Sequence, residues 1–238
     1  LRHVFPNNRI ITVINDDFWC RALFGYERPL RWALSRTCKC SDVVLTVSEP
    51  LKLQLEEYCR ADIFYLWAEQ EYSKPVSDAN RHILLFWGYI NGRLNYKYIF
   101  ELARKLMNEA SAIEIHLIGP MEKSRNIPFA RINAYHNIKL FDARKLEDIN
   151  FEEVLATFIP YIDGNKADDA TTIPNKAFPM LCKGLPLLIT GMPHFMKADF
   201  IFRLGKDVDE DIELISKLQE KAELLQPGIK RFVEENSS

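Results

Sequence analysis

Thr171, Thr172, Pro174 and Lys176 share one polar stretch, Ala-Thr-Thr-Ile-Pro-Asn-Lys, between an apolar run and a short apolar segment. Two hydroxyls and an ammonium before a helix are the residue types that hold a phosphate, because the free N–H groups and positive dipole end of a helix add to their pull. A second set, Gly88 and Asn91-Gly92-Arg93, follows the apolar run His82 to Tyr89. Glycine after such a strand lets backbone approach a ligand, and a guanidinium binds phosphate bidentately. The same residues also read as an Asn-Gly turn followed by a surface arginine. A third set, Asp16-Asp17, closes the run Arg9 to Asn15. Carboxylates at the carboxyl end of a buried strand either face the ligand crevice of an open α/β sheet or cap the next helix. Asp168-Asp169 reads as solvated loop, with no third ligand spaced to make a metal site. His116, His136 and His194 read as structural or solvated, and His194 lies just beyond a strand.

These residues need strands to carry them, and the chain supplies strand-like runs. Arg9–Asn15, Asp42–Ser48 and Ile63–Trp67 come first; His82–Tyr89, Ile113–Ile118, Asn137–Phe141, Val154–Ile162, Leu185–Thr190 and Phe200–Leu204 follow. Helical spacing appears between them. Arg28 to Ser41 carries Leu30, Ala33, Leu34 and Cys38; Ser48 suits the N-cap of a helix with Leu51, Leu55 and Tyr58; Asn95 suits the N-cap of one with Ile99, Leu102, Ala103 and Leu106. Gly184 stands where a helix C′ glycine belongs, and Pro186 cannot continue a helix. Pro179 would cost about 3 kcal/mol inside a helix starting at Thr172, so a start at Phe178 is expected. From Val208 a charged helix carries Ile212, Ile215 and Leu218; Pro227-Gly228 is expected to break it, leaving a short helix over Ile229–Glu235. The alternation of strands and helices predicts α/β architecture: parallel sheets with helices on both faces. The polar stretch Ser73–Arg81 divides the chain. Residues 1–75 form a first domain, 76–81 a linker, 82–205 a second domain and 206–238 terminal helices. These helices are expected to leave the second domain and return to the first.

The 238 residues suffice for one large domain, or one and part of another. With 47% hydrophobic and 27% charged residues, a sizeable core forms. A net charge of −2 argues against nucleic acid as the main ligand. No apolar run reaches the ~20 residues of a membrane span. The opening Leu-Arg-His-Val-Phe-Pro lacks the pattern of a secretory leader. Cys20, Cys38, Cys40, Cys59 and Cys182 are odd in number with no C-x-x-C pair, as expected of reduced cytoplasmic thiols.

Pro174, Lys176, Gly184 and Pro186 fall on the spacing of the donor-sugar segment of GT-B glycosyltransferases, and the chain resembles family 4 of that group. Asp42–Tyr58 resembles the segment that closes their amino-terminal domain, and Asn15-Asp16-Asp17 falls at their Asp-Asp step. Gly88–Leu94 and Gly119-Pro120 resemble their first two donor-domain loops. The resemblance runs from about residue 9 to about residue 205. It implies two Rossmann-like domains, the first only partial, and a retaining transferase. Asp16 and Asp17 would be catalytic, on the acceptor side. Gly88, Asn91, Gly92, Arg93, Gly119, Thr171, Thr172, Pro174 and Lys176 would bind the donor. The donor would be a UDP- or GDP-linked sugar, with no metal and no further cofactor. The acceptor would be a glycan or lipid-linked glycan of a bacterial surface polysaccharide, reached from the cytoplasm at the inner membrane surface. One departure is clear: the family's ribose-binding glutamate falls on Pro179. A non-catalytic binding or scaffold subunit and a sugar-nucleotide epimerase of the same fold are the alternatives.

Overall fold

The computed structural model describes residues 7–15, 27–65, 72–73, 80–109, 111–122, 127–164 and 170–236. Two compact units emerge. The first takes Leu1–Leu66, Gly164–Pro174 and Met192–Met196; the second takes Trp67–Asp163, Asn175–Gly191 and Lys197–Ser238.

In the first unit, β1 (Ile11–Ile14), β2 (Val43–Thr46) and β3 (Asp62–Ile63) form a parallel sheet in that order. The β-branched residues of β1 and β2 favour the extended backbone. Helix α1 (Glu27–Cys40) and helix α2 (Glu49–Leu55) send Cys38 and Leu55 to meet Ile14, Val44 and Ala61 in one buried cluster. Burial, with Cys59 beside it, pushes the Cys38 thiol up to about 12. Ser48 caps α2 as expected: its Oγ accepts from the Leu51 N–H at 3.4 Å, with Pro50 in the first turn. The expected third strand, Ile63–Trp67, starts one residue earlier and ends at Ile63 among the described residues, residues 66 and 67 lying outside them.

The second unit carries a six-stranded parallel sheet. Its strands are β4 (Ile83–Trp87), β5 (Glu114–Ile118), β6 (Ile138–Phe141), β7 (Val154–Pro160), β8 (Leu187–Thr190) and β9 (Ile201–Arg203). The order is β6-β5-β4-β7-β8-β9. Strands β7 and β8 are buried along their whole length, as near-continuous apolar runs must be when both sheet faces are covered. Helix α3 (Tyr96–Asn108) buries Ile99, Leu102, Ala103 and Leu106, and Asn95 caps it through a 3.1 Å bond from the Tyr98 N–H. A single-turn α4 (Phe129–Ile132) follows β5.

Helix α5 (Ala177–Cys182) begins one residue before the expected Phe178. Pro179 is its third residue, still in the first turn, where an N–H has no partner within the helix and its loss costs little. The helix ends as Gly184 requires. The Gly184 N–H donates to Leu181 O at 2.8 Å and the Leu185 N–H to Met180 O at 3.2 Å, a left-handed stop at φ 70°.

Helix α6 (Val208–Asn236) corrects an expectation. It runs unbroken through Pro227, because a buried stripe of Ile212, Ile215, Leu218, Ala222, Gln226, Ile229 and Val233 holds both sides of the proline in place. Packing along the stripe outweighs one missing backbone bond. It also belongs to the second unit, where it packs on α3, α5 and β7. The buried Asp211 accepts from Tyr98 Oη at 2.7 Å and from the Gly205 N–H at 2.8 Å. No helix among the described residues is long and apolar enough to cross a membrane.

Candidate phosphate-binding site

Strand order reverses direction between β4 and β7, the point where an open parallel sheet splits its crossovers and leaves a crevice at its carboxyl edge. Gly88 follows β4 there and Tyr161 follows β7. Gly88 has φ 151° and donates its N–H to Ile118 O at 2.9 Å. Gly119 follows β5 with φ 158°, and a Cβ on it would lie 1.8 Å from the Gly88 carbonyl oxygen. Two backbones therefore meet with no room for a side chain.

Lys176, the N-cap residue of α5, lays its ammonium over this spot. A Cβ on Gly88 would lie 2.5 Å from Lys176 Nζ. That ammonium is 4.2 Å from the ring centroid of Phe86 and 5.3 Å from that of Tyr161. The Arg93 guanidinium lies over the same Tyr161 ring at 4.7 Å. Aromatic faces attract cations, so the rings hold two positive charges at the switch point.

The loop between β4 and α3 is fixed by local bonds. Asn91 Oδ1 accepts from the Arg93 N–H at 2.9 Å, and Asn91 O accepts from the Leu94 N–H and from Tyr96 Oη. Gly92 donates its N–H to Glu122 Oε2 at 3.4 Å. Burial and the nearby Glu122 carboxylate push the Tyr96 phenol up to about 12. The loop is tied to the end of β7 by Asn95 N–H to Pro160 O at 2.7 Å and Ile162 N–H to Arg93 O at 3.0 Å.

The expected donor residues thus divide. Gly88, Arg93, Gly119 and Lys176 come together, and Asn91 and Gly92 shape the loop that presents Arg93. Thr171, Thr172 and Pro174 lie in the first unit, the boundary passing between Pro174 and Asn175. There Ala170 O accepts a buried bond from Ser48 Oγ at 2.6 Å and Thr172 O accepts from the Met196 N–H at 2.8 Å. Asp16 and Asp17 fall outside the described residues, as do Asp168 and Asp169. His116 is engaged structurally, with Glu114 Oε2 at 2.7 Å and the Phe141 ring at 5.2 Å. Sequence reasoning missed Phe86 and Tyr161 as site residues, together with Gly191, whose Cβ would lie 2.4 Å from Tyr161 O. The available signal was their place at the ends of β4, β7 and β8.

A six-stranded switch-point unit with a three-stranded parallel unit beside it in sequence has close structural counterparts. TarM superposes with a TM-score of 0.64 at 11% identity, over 97% of this chain and 47% of its own. The GtfA/B complex gives 0.65 at 9%, over 94% of this chain and 50% of its own. Anabaena HepE, solved with UDP and glucose, gives 0.65 at 10%, over 99% and 69%. The fold is that of the GT-B glycosyltransferases. This GT-B chain spans about half the length of TarM and of the GtfA/B chain. No protein-family model matches the sequence, and no curated protein does.

Within a GT-B fold, the cation pair is what the geometry adds to the topology. Lys176 lies over Gly88 and shares the Tyr161 ring with Arg93, which puts two cations near the carboxyl edge of the sheet.

Proposed function

We propose that the chain is a glycosyltransferase that binds a nucleotide-sugar donor through its second unit and passes the sugar to a glycan or lipid-linked glycan. Lys176 and Arg93 hold the donor diphosphate. They stabilise charge on the departing nucleotide as the glycosidic bond breaks, the step where electrostatic help is largest. Gly88 lets the phosphates approach the backbone, and Gly119 lets its loop lie against Gly88. Asp16 and Asp17 serve the acceptor, and a UDP- or GDP-linked sugar is the substrate, turned over with retention on the cytoplasmic side. The observation that carries this reading is the Lys176 ammonium over Gly88 at the switch point, with Arg93 on the same tyrosine.

Calorimetric titration with UDP and with GDP tests it. Each charge-assisted contact contributes about 1.5–3 kcal/mol, so Lys176→Ala weakens binding by roughly ten- to a hundred-fold with the fold intact. Unchanged affinity in Lys176→Ala, or no nucleotide bound by the unmutated chain, sinks the proposal.

One observation favours a second reading, a nucleotide-binding subunit without transferase activity. Every side chain of α5 is apolar and its first turn has no acidic residue, so it offers a ribose no acceptor. Incubation with UDP- and GDP-sugars and a glycan acceptor separates the two: binding without product formation supports the second.

A further inference from the structure

We propose that Cys38 and Cys59 are an oxidation site: a small-molecule disulfide such as oxidised glutathione converts the pair into an intramolecular disulfide that staples α1 to the connection between α2 and β3. Cys38 lies in the last turn of α1, and Cys59 lies between the end of α2 and the start of β3. Both are free thiols in the core of the first unit. Cys38 is buried with Ile14, Val44, Leu55 and Ala61, and Cys59 packs against that cluster. There the two side chains share a hydrogen bond. A separate ion pair, Arg31 Nη1 to Glu57 Oε2 at 3.9 Å, joins the same helix to the same connection. Backbone bonds hold each cysteine in place: the Cys59 N–H donates to Leu55 O at 3.0 Å, and the Ser41 N–H to Cys38 O at 3.2 Å. The other described cysteines are placed differently. Cys40 is exposed, two positions further along α1 and so turned by about 200° from Cys38. Cys182 belongs to the second unit.

The two thiols take unequal parts. Cys38 is 3% exposed, and burial keeps its proton on, so it does not meet an oxidant in solution. Cys59 is only half-buried. Its thiolate attacks the disulfide of oxidised glutathione; one glutathione thiolate leaves and the other stays on Cys59 as a mixed disulfide. The Cys38 sulfur then attacks the Cys59 sulfur, and the Cys38 proton passes to the second glutathione as it leaves. Two protein thiols and one glutathione disulfide become one protein disulfide and two glutathione thiols. The closed ring, from residue 38 to residue 59, encloses β2 and α2 with its cap Ser48. Such a ring removes freedom from the unfolded chain, so oxidation favours the folded first unit.

The test is incubation of the folded, unmutated chain with oxidised glutathione, alkylation of the remaining thiols with iodoacetamide, and peptide mapping by mass spectrometry without reduction. A peptide pair joined through Cys38 and Cys59 is expected, and dithiothreitol separates it again. The oxidised chain melts roughly 5–10 °C above the reduced one in differential scanning calorimetry. Cys38→Ala stops the reaction at its first step, with glutathione left on Cys59, and Cys59→Ser leaves Cys38 a free thiol. Where a variant does not fold, the map of the unmutated chain decides alone. Glutathione retained on Cys59 of the unmutated chain overturns the proposal, and so does a Cys59 left unreacted or linked to Cys20 or Cys40. A Cys38–Cys59 link that forms without raising Tm overturns the stapling role.

Discussion

At the scale of single residues, the site depends on atoms that are missing. Gly119 has no Cβ, and one placed there would stand 1.8 Å from the Gly88 carbonyl oxygen, a backbone atom that cannot swing aside. Its φ of 158° also disfavours an L side chain. Gly119→Ala should therefore cost about 3 kcal/mol or more and lower Tm by roughly 6–12 °C, read by differential scanning calorimetry. A loss under 1 °C would show that the two loops can part cheaply. The opposite holds at Gly228, inside α6, where a Cβ would meet only the Phe200 ring at an ordinary 3.6 Å. Gly228→Ala should stabilise by about 0.5–1 kcal/mol through helix propensity alone, visible as a raised urea midpoint at constant m. Sequence reading singled out Gly88 and Arg93 by their place after a strand, Lys176 by the polar stretch before a helix, and Gly119 through the family resemblance. It passed over Tyr161 because an aromatic after a buried strand looks like core until the cations on its ring are seen.

At the scale of elements, strands were legible and helix limits less so. Runs such as Ile-Leu-Leu-Phe-Trp at β4 and Val-Leu-Ala-Thr-Phe-Ile at β7 have no polar face, which only a doubly covered parallel sheet accepts. Pro227 misled because local propensity predicts a break, whereas seven or more buried side chains along α6 outweigh it. The stretch 171–176 misled for a different reason. Its residues are contiguous in sequence, but the boundary between units cuts it after Pro174. Ser48 shows what holds the earlier part. One hydroxyl accepts from the Leu51 N–H at the start of α2 and donates to Ala170 O, both fully buried. Ser48→Ala removes a helix cap, worth about 1 kcal/mol, and leaves a buried carbonyl unpaired at about 1–3 kcal/mol. A destabilisation of roughly 2–4 kcal/mol is expected by urea titration, and one within experimental error would mean that the loop finds another donor.

At the scale of the molecule, the two units bury unequal cores. Strands β7 and β8 are fully buried and lie between other strands, whereas β1 is an edge strand among the described residues, with Ile11 58% and Val13 47% exposed. Opening free energy follows such burial. In hydrogen exchange read by mass spectrometry, amides of Val154–Pro160 and Leu187–Thr190 should exchange last and those of Ile11–Ile14 first. Equal protection across the two sheets would mean that they open as one cooperative block. The Ser48–Ala170 bond has one more consequence, which concerns time rather than stability. Its partners are 122 residues apart in the chain. A ribosome adding about 5–20 residues per second takes roughly 6–25 s to supply the second partner after the first. Through that interval the strands and helices of the first unit already made wait with the Ser48 hydroxyl proton uncommitted, and a chaperone acting during synthesis would meet them in that waiting form.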